Sequence, residues 1–116
     1  MLTTSQTVDR VTQLQKRSRR PLTPGQVVAN LLEEYEMSQG ELALRLGISR
    51  ATVSRLINGH RVLSPDLAHR LGRFFNNGAA AWMQMQATVD IWDALHADGS
   101  AYTFIRPLEV PQAIEV

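Results

Sequence analysis

Apolar residues recur at helical spacing from residue 27 to residue 95, and the polar breaks between them set out five helices. The first opens at Thr23, an N-cap residue followed by Pro24 at the first helical position, and carries Val27, Val28, Leu31, Leu32 and Tyr35 on one face. Ser38 caps the second, and Glu41 three residues later predicts a capping box. Leu42, Ala43 and Leu46 supply its buried face, and Gly47 ends it. Ser49 caps a third helix with Val53, Leu56 and Ile57 inward, stopped by Asn58-Gly59. Ser64-Pro65 opens a fourth, with Leu67, Ala68, Leu71, Phe74 and Phe75 inside. After Asn76-Asn77-Gly78, a fifth runs from about Ala79 to His96, with Trp82, Met85, Val89, Trp92 and Leu95 three or four apart. Past Asp98-Gly99-Ser100, residues 101–106 alternate weakly, and Tyr102, Thr103, Phe104 and Ile105 predict a short strand before Pro107.

The expected fold is therefore all-α, with five helices and a short C-terminal β-strand. Ahead of the helices stand about twenty polar residues ending in Lys16-Arg17-Ser18-Arg19-Arg20. Val8, Val11 and Leu14 permit a short helix there, but Pro21 and Pro24 interrupt it. The chain divides into a basic arm (1–22), a helical unit (23–77), and a long helix with a tail (78–116).

Composition narrows the function classes. The chain of 116 residues is 44% hydrophobic, enough for one modest core, and has no cysteine, which excludes disulfides and thiolate metal sites. No apolar run reaches the ~20 residues of a membrane span, and the N-terminus carries no secretory signal, so a cytoplasmic protein is expected. The net charge of +1 conceals a split. Residues 1–73 hold eleven of the twelve Lys and Arg against six acids, a balance of +5. The remainder sets Arg106 against Asp90, Asp93, Asp98, Glu109 and Glu115, a balance of −4. The split reads either as two faces with different partners or as a solvated surface of uneven charge. The three histidines make no metal-ligand pattern, there is no His-Glu-x-x-His and no glycine-rich phosphate loop, and nothing gathers Ser, His and Asp. No enzyme, metal, cofactor or small-molecule substrate is expected.

Residues 39–58 carry the functional signal. Ala43 is small where a second helix passes close, Gly47 stands where the chain needs a left-handed residue, and Ser49 caps the helix that follows. Leu42, Leu46, Ile48, Val53 and Leu56 supply a shared core. Arg50, Ala51, Thr52, Ser54 and Arg55 are left outside on the second helix, an acid-free face of short polar side chains and arginines. Two helices joined this way form a helix-turn-helix, and that face suits phosphates and base edges of double-stranded DNA.

Residues 38–61 resemble the Cro/C1-type (XRE) helix-turn-helix of phage repressors, with its lambda-repressor-like fold. Three further stretches extend the resemblance to HigA-type antitoxins over residues 20–93: residues 20–27 with Pro24-Gly25, the run Ala80-Ala81-Trp82-Met83-Gln84-Met85-Gln86, and Val89-Asp90-Ile91-Trp92. Asn77-Gly78-Ala79-Ala80 departs from the family's cap-Pro-acid start of helix five, and predicts a frayed start. The resemblance implies a homodimeric repressor that binds a palindromic operator, autoregulates its operon and neutralises a RelE-like, HigB-type toxin. It implies that Gln39 meets a phosphate, that Arg50, Ala51 and Arg55 face base edges, and that Thr52 and Ser54 lie near the backbone. Asn58, His60 and Arg61 would lie along the phosphate strand. A solitary regulator without a toxin, and a module chiefly for toxin neutralisation, stand as alternatives.

Several side chains have two readings. Arg55 pairs with a guanine or with a carboxylate of its own chain. Lys16, Arg17, Arg19 and Arg20 track the DNA backbone or a minor groove, or are simply solvated. Trp82, Met85, Val89 and Trp92 form a stripe suited to a homodimer interface or to the chain's own core. Tyr102 and Phe104, on the predicted strand, would pair with a symmetry mate or extend a partner's sheet.

Overall fold

The computed structural model describes residues 19–109. Five α-helices follow one another: α1 (Pro24–Glu34), α2 (Gln39–Leu46), α3 (Arg50–Ile57), α4 (Pro65–Phe74) and α5 (Ala79–His96), with a 3-10 turn at Gly99–Ala101. Side-chain caps set four of the five starts. The Thr23 hydroxyl accepts from Gln26 N at 3.1 Å while Gln26 Oε1 accepts from Thr23 N at 2.9 Å, a full capping box at α1. At α2 the predicted box is only half made. Ser38 accepts from Glu41 N at 3.0 Å, but the Glu41 carboxylate turns to Arg45 one helical turn on, at 3.3 Å. Ser49 and Ser64 cap α3 and α4. Helix α5 has no side-chain cap, yet starts at Ala79 as the apolar spacing predicts. Asn77 does not cap it; its Oδ1 instead accepts from Trp82 Nε1 at 2.7 Å.

One core runs through all five helices. Val28 and Leu32 of α1, Leu42, Ala43 and Leu46 of α2, Val53 and Leu56 of α3, Leu63, Leu67, Ala68 and Leu71 of α4 and its lead-in, and Trp82 of α5 are buried together. Two glycines permit the closest approaches. A Cβ on Gly25 would overlap the Leu56 carbonyl, so α1 lies directly against the backbone of α3. A Cβ on Gly72 would overlap the Gly78 peptide. The Gly72 carbonyl there accepts from Asn77 N at 3.0 Å and Gly78 N at 3.1 Å, which ties the α4–α5 turn onto α4.

The predicted strand does not form. Ala101 ends the 3-10 turn, and Tyr102, Thr103 and Phe104 lie in turns, all exposed. Tyr102 N donates to Gly99 O at 2.9 Å and Ile105 N to Tyr102 O at 3.0 Å. A strand needs a neighbour to satisfy its backbone, and no strand exists among the described residues, so local bonds take over.

Gly25→Ala tests the α1–α3 contact. Helix propensity alone would favour alanine by about 1 kcal/mol. Overlap with Leu56 reverses the sign, and the expected net loss in urea unfolding is about 1–3 kcal/mol. Gly99→Ala, where the added methyl meets open space, should stay within about 0.5 kcal/mol of wild type.

Candidate nucleic-acid interface

Helices α2 and α3 form the bihelical unit, and Gly47 between them takes the left-handed conformation (φ 69°). Val53 and Leu56 bury the inner face of α3, which leaves Arg50, Ala51 and Arg55 exposed and Thr52 and Ser54 half-buried at its edges. The helix N-terminus, with its partial positive charge, points outward beside Arg50. No carboxylate pairs with Arg50, Arg55 or Arg61 among the described residues, so the salt-bridge reading of Arg55 finds no partner there. The Arg50 stem runs along the start of α2: a Cβ on Gly40 would sit 4.0 Å from Arg50 Cδ. Half-buried Gln39 is the neighbouring residue. Asn58, His60 and Arg61 follow α3 in an exposed loop.

Hydrogen bonding decides what the short polar groups can offer. Ser49 Oγ accepts from Thr52 N at 3.1 Å and lies 2.8 Å from Thr52 Oγ1. One hydroxyl hydrogen is consumed between the pair, and one remains to donate outward. Ser54 Oγ accepts from Asn58 Nδ2 at 3.3 Å, which keeps its own hydrogen available. The face therefore offers guanidinium and hydroxyl donors, the groups that meet phosphate oxygens and purine acceptors.

Arg20 belongs elsewhere. It grips Asp93 of α5 side-on, Nε to Oδ1 and Nη2 to Oδ2, both at 2.8 Å. This replaces the expectation of a backbone-tracking Arg20, because the two coplanar donors that would clamp a phosphate are held by a carboxylate. The 73-residue separation hides the pair from a sequence reading. Arg19 is exposed; Lys16 and Arg17 lie outside the described residues. The hydrogen bonds from Arg20, helped by the charges of Arg20 and His96 and opposed by desolvation, hold the Asp93 carboxyl below its usual value.

The stripe on α5 faces mainly inward. Trp82 is 0% and Val89 2% exposed, so both are taken by the chain's own core and offer nothing to a second subunit. Met85 is half-buried against that core. Trp92 is half-buried, its ring stacked on His96 at 3.8 Å. The outward side carries Ala87, Ile91, Ala94 and Leu95, all exposed. Tyr102 and Phe104 are exposed beyond it.

The known relatives are similar along most of the chain. A helix-turn-helix family model matches residues 28–81. The antitoxin HigA-1 of Vibrio cholerae is 34% identical over 98 residues, 84% of this chain and 92% of the relative. An uncharacterised HTH-type transcriptional regulator of Escherichia coli, YbaQ, is 36% identical over 81 residues, covering 69% and 72%. Among solved structures, Pseudomonas aeruginosa antitoxin HigA with the higBA promoter superimposes with a TM-score of 0.71 at 35% identity, over 78% of this chain and 100% of that one.

Removing Arg20 tests the pair. In wild type the Asp93 carboxyl should titrate below the usual carboxylate range, and Arg20→Gln should return it upward, read by carboxyl-carbon NMR. A depressed folded-state value stabilises the protein above the unfolded carboxyl's range, and this is lost as pH falls through the depressed value. Both side chains are nearly half exposed, 44% and 46%, so the effect on stability should stay within about 1 kcal/mol.

Proposed function

The chain belongs to the HigA-type group of XRE helix-turn-helix proteins, and on that basis we propose that it represses its own operon as a homodimer on a palindromic operator. It is a DNA-binding regulator, and α3 is its recognition helix. The observation that carries this reading is the outer face of α3, where Arg50 and Arg55 stand exposed without carboxylate partners. Arg50, Ala51 and Arg55 face base edges. Gln39, Thr52, Ser54, Asn58, His60 and Arg61 meet or flank the phosphates. Two copies joined through the outward side of α5, at Ile91 and Leu95, place their α3 helices in successive major grooves ~34 Å apart.

The second partner is a HigB-type, RelE-like toxin, which the antitoxin neutralises. The acidic C-terminal part of the chain, where Asp90, Asp98, Glu109, Tyr102 and Phe104 are all exposed, suits a basic protein. The setting is the cytoplasm. Among the described residues no helix is long and apolar enough to cross a membrane.

Gel shift of the isolated protein on the DNA upstream of its own gene tests repression, and co-purification with the product of the adjacent gene tests neutralisation. Arg55→Ala should cost about 1–3 kcal/mol on the cognate site and relax base preference at one position. Equal loss on every sequence would remove Arg55 from base recognition. Ile91→Asp with Leu95→Asp should yield a monomer by light scattering that keeps its helical circular dichroism, because neither side chain belongs to the core of the single subunit. A dimer that persists would place the interface elsewhere.

A further inference from the structure

We propose that Arg70, on α4, is a positioning residue for DNA recognition: it closes the open end of α2 and so holds the angle at which α3 is presented. The proposal rests on α3 being the recognition helix.

The turn between α2 and α3 must satisfy the last carbonyls of α2. Ala43 O accepts from Ile48 N at 3.0 Å, and Leu44 O from Gly47 N at 3.2 Å. The carbonyl of Leu46, the final residue of α2, accepts from Arg70 Nη1 at 2.8 Å, and the same nitrogen lies 3.5 Å from Gly47 O. These two carbonyls belong to the turn itself, so a shift of the turn breaks the bond. A cation at this end also complements the partial negative charge of the α2 C-terminus.

Arg70 is held as well as holding. Its Nε donates to Asp66 Oδ2 at 3.0 Å, one turn back on α4. The planar guanidinium is thus fixed at one edge by α4 and at the other by the turn, a task a single ammonium cannot do in the same geometry. Gly47 makes room for it, because a Cβ there would come within 3.3 Å of Arg70 Nη1. Gly47 therefore has two reasons to lack a side chain: its left-handed backbone and this guanidinium. A second strap runs the other way, with the Arg45 guanidinium 5.9 Å from the centre of the Phe74 ring. Helix α4 is itself tied to α5 through the Gly72 carbonyl. The turn is therefore referenced to the body of the protein, and α3 leaves the turn at Ser49, two residues after Gly47.

The test compares two duplexes, one selected from a random pool by the wild-type protein and one of scrambled sequence. Arg70→Ala should weaken binding to the selected duplex about tenfold, the scale of losing one well-aligned base contact. Binding to the scrambled duplex should change less than about twofold, and the salt slope should keep its wild-type value, because no phosphate contact is lost. Equal weakening on both duplexes with a flatter salt slope would make Arg70 a phosphate contact and overturn the proposal. A lowered Tm with an unchanged ratio between the duplexes would leave it a purely structural residue and overturn it too. If Arg70→Ala fails to fold, Asp66→Asn and Arg70→Lys carry the test. Both keep the positive charge, and both should lower the ratio by less than alanine would; an unchanged ratio in both overturns the proposal. Wild-type protein that selects no sequence from the pool sinks the recognition-helix reading instead.

Discussion

An eight-residue helix does not hold itself in water, and α3 has eight residues. Everything the interface presents depends on tertiary contacts behind α3. Val53 and Leu56 bury its inner face among Leu42, Leu46 and Val28. Gly25 brings α1 against the Leu56 carbonyl, closer than any side chain would allow. Ser49 supplies the local start. Cap and core act on opposite ends of the same problem: the cap satisfies the first amides, and burial offsets the entropy of fixing the turn. The outer face is then free to carry residues that contribute nothing to folding.

That freedom shows in how the arginines divide. Arg20, Arg45 and Arg70 are committed within the chain, to Asp93, to Glu41 and to Asp66 with the Leu46 carbonyl. Arg50, Arg55 and Arg61 have no such commitment among the described residues. Residue type does not separate the two groups; distance to a carboxylate does. Of the committed set, Arg45 lies on α2, and Arg20 and Arg70 lie beside the bihelical unit. Arg50, Arg55 and Arg61 lie on α3 and the loop after it, and Arg19, Arg73 and Arg106, likewise without an ion pair among the described residues, lie outside that unit. Exposed pairs add little stability, so the value of the first group lies in where it keeps the arm, α2 and the turn.

The helix boundaries were legible because caps are local. Thr23, Ser38, Ser49 and Ser64 each bond an amide three residues on, and a reader of the chain can count three residues. The outer face of α3 was legible for the same reason, since period and cap together decide which residues point away. Three features were not. The stripe of Trp82, Met85 and Val89 shows that one face of α5 is covered, but periodicity cannot say whether by the chain itself or by a second copy. The alternation at residues 101–106 is a local pattern whose strand reading needs a distant partner, and turn bonds replaced it. The Arg20–Asp93 pair and the Arg70 bond to Leu46 O join residues 73 and 24 positions apart. A charge run shows neither which of its members is engaged nor with what.

The arrangement of α4 and α5 bears on how two copies read one site. A dimer formed through α5 transmits its symmetry to DNA only if α5 keeps a constant relation to α3. The connection from α4 into α5 is short and pinned: both amides at its end bond one carbonyl, that of Gly72, and Trp82 plugs the core just beyond, with Nε1 held by Asn77. Phe75 packs on the Trp82 ring at 5.9 Å between centroids, and Phe74 meets Arg45 of α2. The path from α5 to α2 thus runs through packed rings and bonded backbone, without a linker to absorb rotation. A two-domain regulator with a flexible hinge could accept several half-site spacings. With the proposed pairing through α5, this chain would accept one.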